Sequence, residues 1–120
     1  IGITAAFGMY FASKEDLTHD DGITCRNKKA GFLKASRPAA VNLMWAVDQQ
    51  LALADNHGFN KNLPTALWEN AKNLMEEDAE VCKQIGAFGL DLIKEIPEKK
   101  KGDGVNILTH CNAGSLAVIK

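Results

Sequence analysis

Apolar positions along the chain fall into runs separated by polar and Gly/Pro-rich breaks. Residues 1–14, IGITAAFGMYFASK, place Ala5, Ala6, Met9, Tyr10 and Phe11 in a pattern that predicts a buried or half-buried helix. Gly2 and Gly8 suit either close helix packing or a backbone-to-ligand approach. Residues 15–27, EDLTHDDGITCRN, interrupt the pattern with polar residues, and Asp20-Asp21-Gly22 is a turn signal. His19 and Cys25 have no partner spacing there and read as members of a solvated loop. Residues 28–35, KKAGFLKA, resume as a short amphipathic helix, which Ser36-Arg37-Pro38 breaks. Proline disfavours helical geometry at Arg37 but suits the first turn of a new helix. That helix is expected to run through AAVNLMWAVDQQLALAD. Its centre, Val41–Val47, is apolar nearly all round and predicts burial on most sides.

Gly58 and a polar loop through Asn62 close that helix, and Leu63-Pro64 opens the next. Residues 65–95 are the longest periodic element, with Leu67, Ala71, Leu74, Val81, Cys82 and Ile85 at helical spacing. Gly86 and Gly89 mark a kink, a join between helices or a close backbone approach. Residues 97–104, PEKKKGDG, form a charged link whose lysines read as solvated. Val105, Ile107 and Leu108 then predict a strand. Thr109–Gly114 form a small-residue turn and Ser115 an N-cap. This grammar predicts an α/β chain: a mainly helical domain over 1–96, truncated at its start, leading into a Rossmann-like parallel sheet. The sheet's first strand–turn–helix would occupy 97–120, so that the chain is a fragment of a larger protein.

The charge balance narrows the partners. Fourteen basic residues face 15 acidic ones. That balance gives no bulk field for nucleic acid or an anionic membrane, and no apolar run reaches the length of a membrane span. The three cysteines, Cys25, Cys82 and Cys111, are far apart, with neither CxxC nor zinc-ligand spacing. A reduced, cytoplasmic chain is the simplest expectation.

Candidate chemistry gathers at two places. Cys111 sits where a strand would hand over to a helix N-terminus, the corner at which ligands bind in open parallel sheets. A nearby helix N-terminus would favour its thiolate. His110, its neighbour, would point to the opposite strand face and is not its base. Arg37 is the second place. A guanidinium facing the positive end of a helix dipole is mildly unfavourable unless an anion lies between them. It therefore reads either as an anion contact or as the partner of a surface carboxylate. Asn42 is either a satisfied core amide or a ligand contact. Asp78, inside the apolar stripe, requires an arginine, a helix N-terminus or a substrate hydroxyl as partner and suggests first a buried ion pair, with Cys82 on the same face as a small core residue.

These stretches resemble a known family. ILTHCNAGSLA at 107–117 resembles a signature of the methylthioribose-1-phosphate isomerase family, and SRPAAVNLMWAVD at 36–48 a second. IGITAAFGMY at 1–10 and IGAFGLDLI at 85–93 resemble two further segments, in the family's order. The wider superfamily includes ribose-1,5-bisphosphate isomerases and regulatory subunits of a translation-initiation exchange factor. The THCNAG pattern resembles the enzyme branch.

The resemblance implies an aldose–ketose isomerase of methionine salvage, converting 5-methylthioribose 1-phosphate to 5-methylthioribulose 1-phosphate. It implies a catalytic role for Cys111 and substrate contacts by Arg37, Asn112 and Gly114. It implies no cofactor, no metal and a homodimer, beside the expectation of no nucleic acid and no membrane drawn from charge and hydropathy. The family's catalytic aspartate and its Arg-Gly-Ala-Pro loop match nothing in this chain. Ala39 stands where the family usually has threonine. SLAVIK resembles a subgroup variant, some of whose members act on 5-deoxyribose 1-phosphate. The alternatives are therefore an isomerase of such a related sugar phosphate, or a non-catalytic regulatory subunit.

Overall fold

The computed structural model describes residues 1–18, 20–99 and 104–110. Four helices follow one another: α1 (Gly2–Asp16), α2 (Gly22–Ser36), α3 (Val41–His57) and α4 (Leu63–Lys99). α2 begins six residues before the amphipathic run expected at Lys28. Asp21 is its N-cap, the Asp21 carboxylate accepting from the Thr24 N–H at 3.4 Å. The Asp-Asp-Gly turn signal is thus also a helix start, because a carboxylate satisfies a first-turn donor. α3 begins at Val41, later than Pro38 suggested. It ends at Gly58, whose N–H donates to the Ala54 carbonyl at 3.0 Å and whose φ of 78° turns the following chain out of the helix. Pro64 lies in the first turn of α4, as expected.

The chain forms two compact units, Ile1–Leu74 and Met75–Lys120. In the first, α1 packs on both α2 and α3. Ala5, Met9, Ala30, Leu43 and Val47 form one buried cluster. Ala6, Ala46, Ala71 and Leu74 form a second, and Ala54, Leu63 and Leu67 a third. Small residues bring α1 close to α3. A Cβ placed on Gly2 would lie 2.7 Å from the Asn42 carbonyl oxygen, so this glycine serves packing. Gln50, fully buried, ties three helices together. Its amide nitrogen donates to the Ala6 carbonyl at 3.1 Å and the Leu67 carbonyl at 3.0 Å, and its oxygen accepts from Asn70 at 3.1 Å.

α3 is less enclosed than its composition suggested. Leu43, Ala46 and Val47 are buried, whereas Val41 is 71% and Trp45 47% exposed. Asn42 is exposed and is not a core amide. One face of α3 meets the bundle and the other meets water.

In the second unit, α4 continues past Gly86 and Gly89 without interruption. Val81, Ile85, Phe88 and Leu92 are exposed there, and Cys82 is half-buried and not a core residue. Asp78 is half-buried, and no ion pair to it occurs among the described residues.

The described residues contain no strand, which corrects the expectation of an α/β chain leading into a Rossmann-like parallel sheet. Residues 104–110 carry no regular structure, with Ile107 71% and Leu108 98% exposed. A β-rich run becomes a strand only when a neighbour takes its N–H and C=O groups, and no neighbour is present among these residues. The expected turn and helix start at 111–117 lie outside the described residues.

Candidate functional site

The sequence elements place one of the four expected site residues in view. Arg37 stands at the C-terminal end of α2, in the connection leading to α3. Its backbone is extended, with φ −145° and ψ 77°, as expected for a residue before proline. Pro38 and Ala39 form a turn that the Ala40 N–H closes on the Arg37 carbonyl at 2.9 Å. Arg37 is exposed, and no carboxylate pairs with it among the described residues. Of its two readings, the surface ion pair therefore finds no support here, and the guanidinium keeps its donors.

The geometry differs from expectation in one respect. Arg37 lies four positions before the first residue of α3 rather than immediately before its first turn. The N-cap is Ala40, which supplies no side-chain acceptor. The first-turn donors of α3 thus lack the side-chain partner that a serine, threonine, aspartate or asparagine would give. Exposed Arg37 and an uncapped helix start lie together at one end of α3, a pairing that suits an anion.

Ion pairs tie the helices of the bundle together, and of these Lys34–Asp48 lies toward the Arg37 end. Lys34, in the last turn of α2, pairs with Asp48 of α3. Buried Arg26 pairs with Asp55 at 2.7 Å. Lys29 donates to Asp16 and to Glu15, both at 2.8 Å, and Asp16 is fully buried. The hydrogen bonds that Lys29 donates to Asp16 first, then Glu15, raise its pKa above the ordinary lysine range. Sequence spacing did not single out these pairs, because their partners lie on different helices.

Cys111, Asn112 and Gly114 lie outside the described residues. His110, the residue before Cys111, is exposed. Among the described residues, no group of His, Cys, Asp and Glu side chains is arranged to hold a metal ion. No described helix is long and apolar enough to cross a membrane.

Comparison with known proteins supplies what the geometry leaves open. The model of a family described as the initiation factor 2 subunit family matches residues 1–120. A 5-deoxyribose 1-phosphate isomerase of Clostridium botulinum (strain Kyoto / Type A2) is 44% identical over 125 residues, covering 100% of this chain and 33% of the relative. A methylthioribose-1-phosphate isomerase of Desulfosudis oleivorans is 40% identical over 124 residues, covering 100% of this chain and 32% of the relative. The chain thus spans about a third of the length of these curated relatives. No solved structure matches it.

Proposed function

The chain belongs to the initiation factor 2 subunit family, and from that premise we propose that it is part of an aldose–ketose isomerase. The substrate would be a pentose phosphorylated on its anomeric oxygen, 5-methylthioribose 1-phosphate, converted to 5-methylthioribulose 1-phosphate in methionine salvage. The observation that carries this reading is identity of 40–44% along the whole chain to proteins named as isomerases of such sugars. A second reading, 5-deoxyribose 1-phosphate as substrate, is favoured by the 44% relatives bearing that name and by the SLAVIK continuation after Gly114. Both substrates present the same phosphate and the same reacting carbons and differ only at C5.

The reaction is an internal redox exchange. C2 loses its C–H and O–H hydrogens and becomes a carbonyl, C1 gains one hydrogen, and the ring C1–O bond breaks with the released oxygen on C4 taking a proton as a hydroxyl, so that the formula is unchanged. The phosphate on C1 blocks simple ring opening, and a positioned acid–base group must help. Cys111 is our candidate for that group. Arg37 is our candidate for the phosphate, with its fork of donors free and an uncapped helix start beside it. Asn112 and Gly114 would line the sugar beside Cys111. The protein would work in the cytoplasm as a homodimer.

The test uses the full polypeptide and a panel of 1-phosphorylated pentoses. Cys111→Ser should lower kcat about 10²- to 10⁴-fold, the range of an acid–base group, with the thermal unfolding midpoint unchanged. Arg37→Ala should raise KM about 10- to 100-fold, the strength of a charge-assisted hydrogen bond. Near-normal turnover by Cys111→Ser would sink the catalytic assignment. No isomerisation of any sugar in the panel would instead favour a non-catalytic regulatory subunit.

A further inference from the structure

We propose that the Lys34–Asp48 ion pair is a positioning device for Arg37, fixing where the guanidinium meets the substrate's phosphate. This rests on the reading of Arg37 as the phosphate contact.

The connection that carries Arg37 has few side-chain ties of its own. It runs from the end of α2 at Ser36 to the start of α3 at Val41. The Ser36 hydroxyl is turned back on the Leu33 carbonyl at 2.6 Å, inside α2. Ala39 and Ala40 have no polar side chain, and α3 therefore starts without a side-chain cap. A helix start normally gains about 1 kcal/mol and a fixed entry geometry from such a cap. What remains is the turn bond between the Ala40 N–H and the Arg37 carbonyl, and the packing of half-buried Ala40 on the core cluster at the α3 side of the connection.

Lys34 and Asp48 act on either side of this connection. Lys34 sits three residues before Arg37, one turn back along α2. Asp48 sits about two turns into α3. Among the described residues, no other hydrogen bond or ion pair joins the last turn of α2 to α3. The pair therefore adds a polar tie to the apolar packing of the two helix ends between which Arg37 is strung. Leu33, beside Lys34, packs on the cluster of Ala5, Met9, Ala30, Leu43 and Val47, so that the last turn of α2 is also seated by apolar contact.

As a contribution to stability such a pair is small. Lys34 is 31% and Asp48 58% exposed, and exposed pairs contribute little to folding. Its effect is on geometry, because a charge-assisted bond to phosphate depends on where the guanidinium fork points.

Asp48 gives the proposal a test with opposite signs. If the pair acted only through its field, removing the carboxylate would make the region more positive and tighten phosphate binding. If it positions Arg37, removing the carboxylate frees Lys34, loosens the connection and weakens binding. In the full polypeptide, Asp48→Asn should raise KM about two- to fivefold, the range of an exposed pair's coupling, with kcat and the unfolding midpoint little changed. Lys34→Met should do the same. The swapped pair Lys34→Asp/Asp48→Lys should return KM to within about twofold of the parent, since it restores the tie with its charges reversed. A KM lowered or unmoved in Asp48→Asn, or a swap no better than the single changes, overturns the proposal. Arg37→Ala separates the two ideas. A raised KM there with a silent Asp48→Asn removes only the positioning role, whereas an unchanged KM in Arg37→Ala removes both.

Discussion

Replacing Gln50 with glutamate changes one NH₂ group for an oxygen and should destabilise the bundle by an amount that depends on pH. The Gln50 amide donates to two main-chain carbonyls, those of Ala6 and Leu67, and accepts from Asn70. It has no access to water. A glutamate there would aim a carboxylate oxygen at two carbonyl oxygens, and only the protonated acid avoids that repulsion. The acid has a single O–H, so one of the two donated bonds is lost outright, a cost of about 1 kcal/mol. Keeping the proton at pH 7 costs more. An unfolded glutamate releases it near pH 4.3, and 2.7 units at about 1.36 kcal/mol each give about 3.7 kcal/mol. The total is about 4–5 kcal/mol at pH 7 and about 1 kcal/mol at pH 4, a large part of the stability of a small domain.

The sign follows from linkage. The folded acid would have a pKa above its unfolded value, so the folded state binds more protons. Stability relative to the parent is then retained below about pH 4.3 and falls as pH rises toward the folded pKa. Urea unfolding of the parent, Gln50→Glu and Gln50→Leu at pH 4 and pH 7 measures this. Gln50→Leu should show a deficit that does not change with pH. A deficit for Gln50→Glu equal at the two pH values would refute the account of Gln50 as a buried double donor.

Two further outcomes follow from the packing. Gly22→Ala should destabilise the bundle by about 1–3 kcal/mol, measured by thermal unfolding, because the added Cβ would stand 2.1 Å from the Phe59 ring and 2.5 Å from the Asp16 carbonyl. The ring can shift but the carbonyl belongs to α1, so an unchanged midpoint would mean that the approach of α2 to α1 is wrong. Lys29, whose pKa is raised by Asp16 and Glu15, contributes stability fully below its unfolded pKa, near 10.4, and loses it as pH rises through the folded value. Unfolding midpoints between pH 9 and pH 12 should therefore fall less steeply in Lys29→Met than in the parent.

Much of the helical layout is legible in the sequence where a local device carries it. Gly58 ends α3 because its positive φ is needed there, and Pro64 lies in the opening turn of α4. The breaker Ser36-Arg37-Pro38 does separate two helices. The start of α2 is ambiguous in the sequence because Asp21 serves two grammars, turn and cap, and only the Thr24 contact decides between them. The buried amide is not the one the apolar pattern points to. Asn42 lies in the most apolar stretch but faces water, whereas Gln50, in a polar-looking DQQ, is fully enclosed. Sequence cannot rank these two, because burial is set by which face of α3 meets α1 and α4. For the site, Arg37 stood out by its place before a proline and a helix. Asp48 gave no signal, since its meaning comes from Lys34 on another helix.

α4 shows most clearly what periodicity does and does not report. Leu67, Ala71 and Leu74 are buried, while Val81, Ile85 and Phe88 continue the same spacing of three and four and stand 52%, 66% and 76% exposed. The period identifies a face, and burial depends on what else is present to meet it. The glycines support the same point. Gly86 and Gly89 neither break nor join helices, and a Cβ on either would meet nothing within 4 Å. Each costs the helix about 0.8–1 kcal/mol relative to alanine. Against this stand the exposed pairs Lys83–Glu80 and Lys94–Asp91 and the bond from Gln84 to Glu80, at about 0.2–0.5 kcal/mol each. The local terms therefore do not offset the glycines. Helices in proteins draw most of their stability from burying an apolar face, and the turns from Val81 to Leu92 carry such a face at the spacing that, from Leu67 to Leu74, already serves as core.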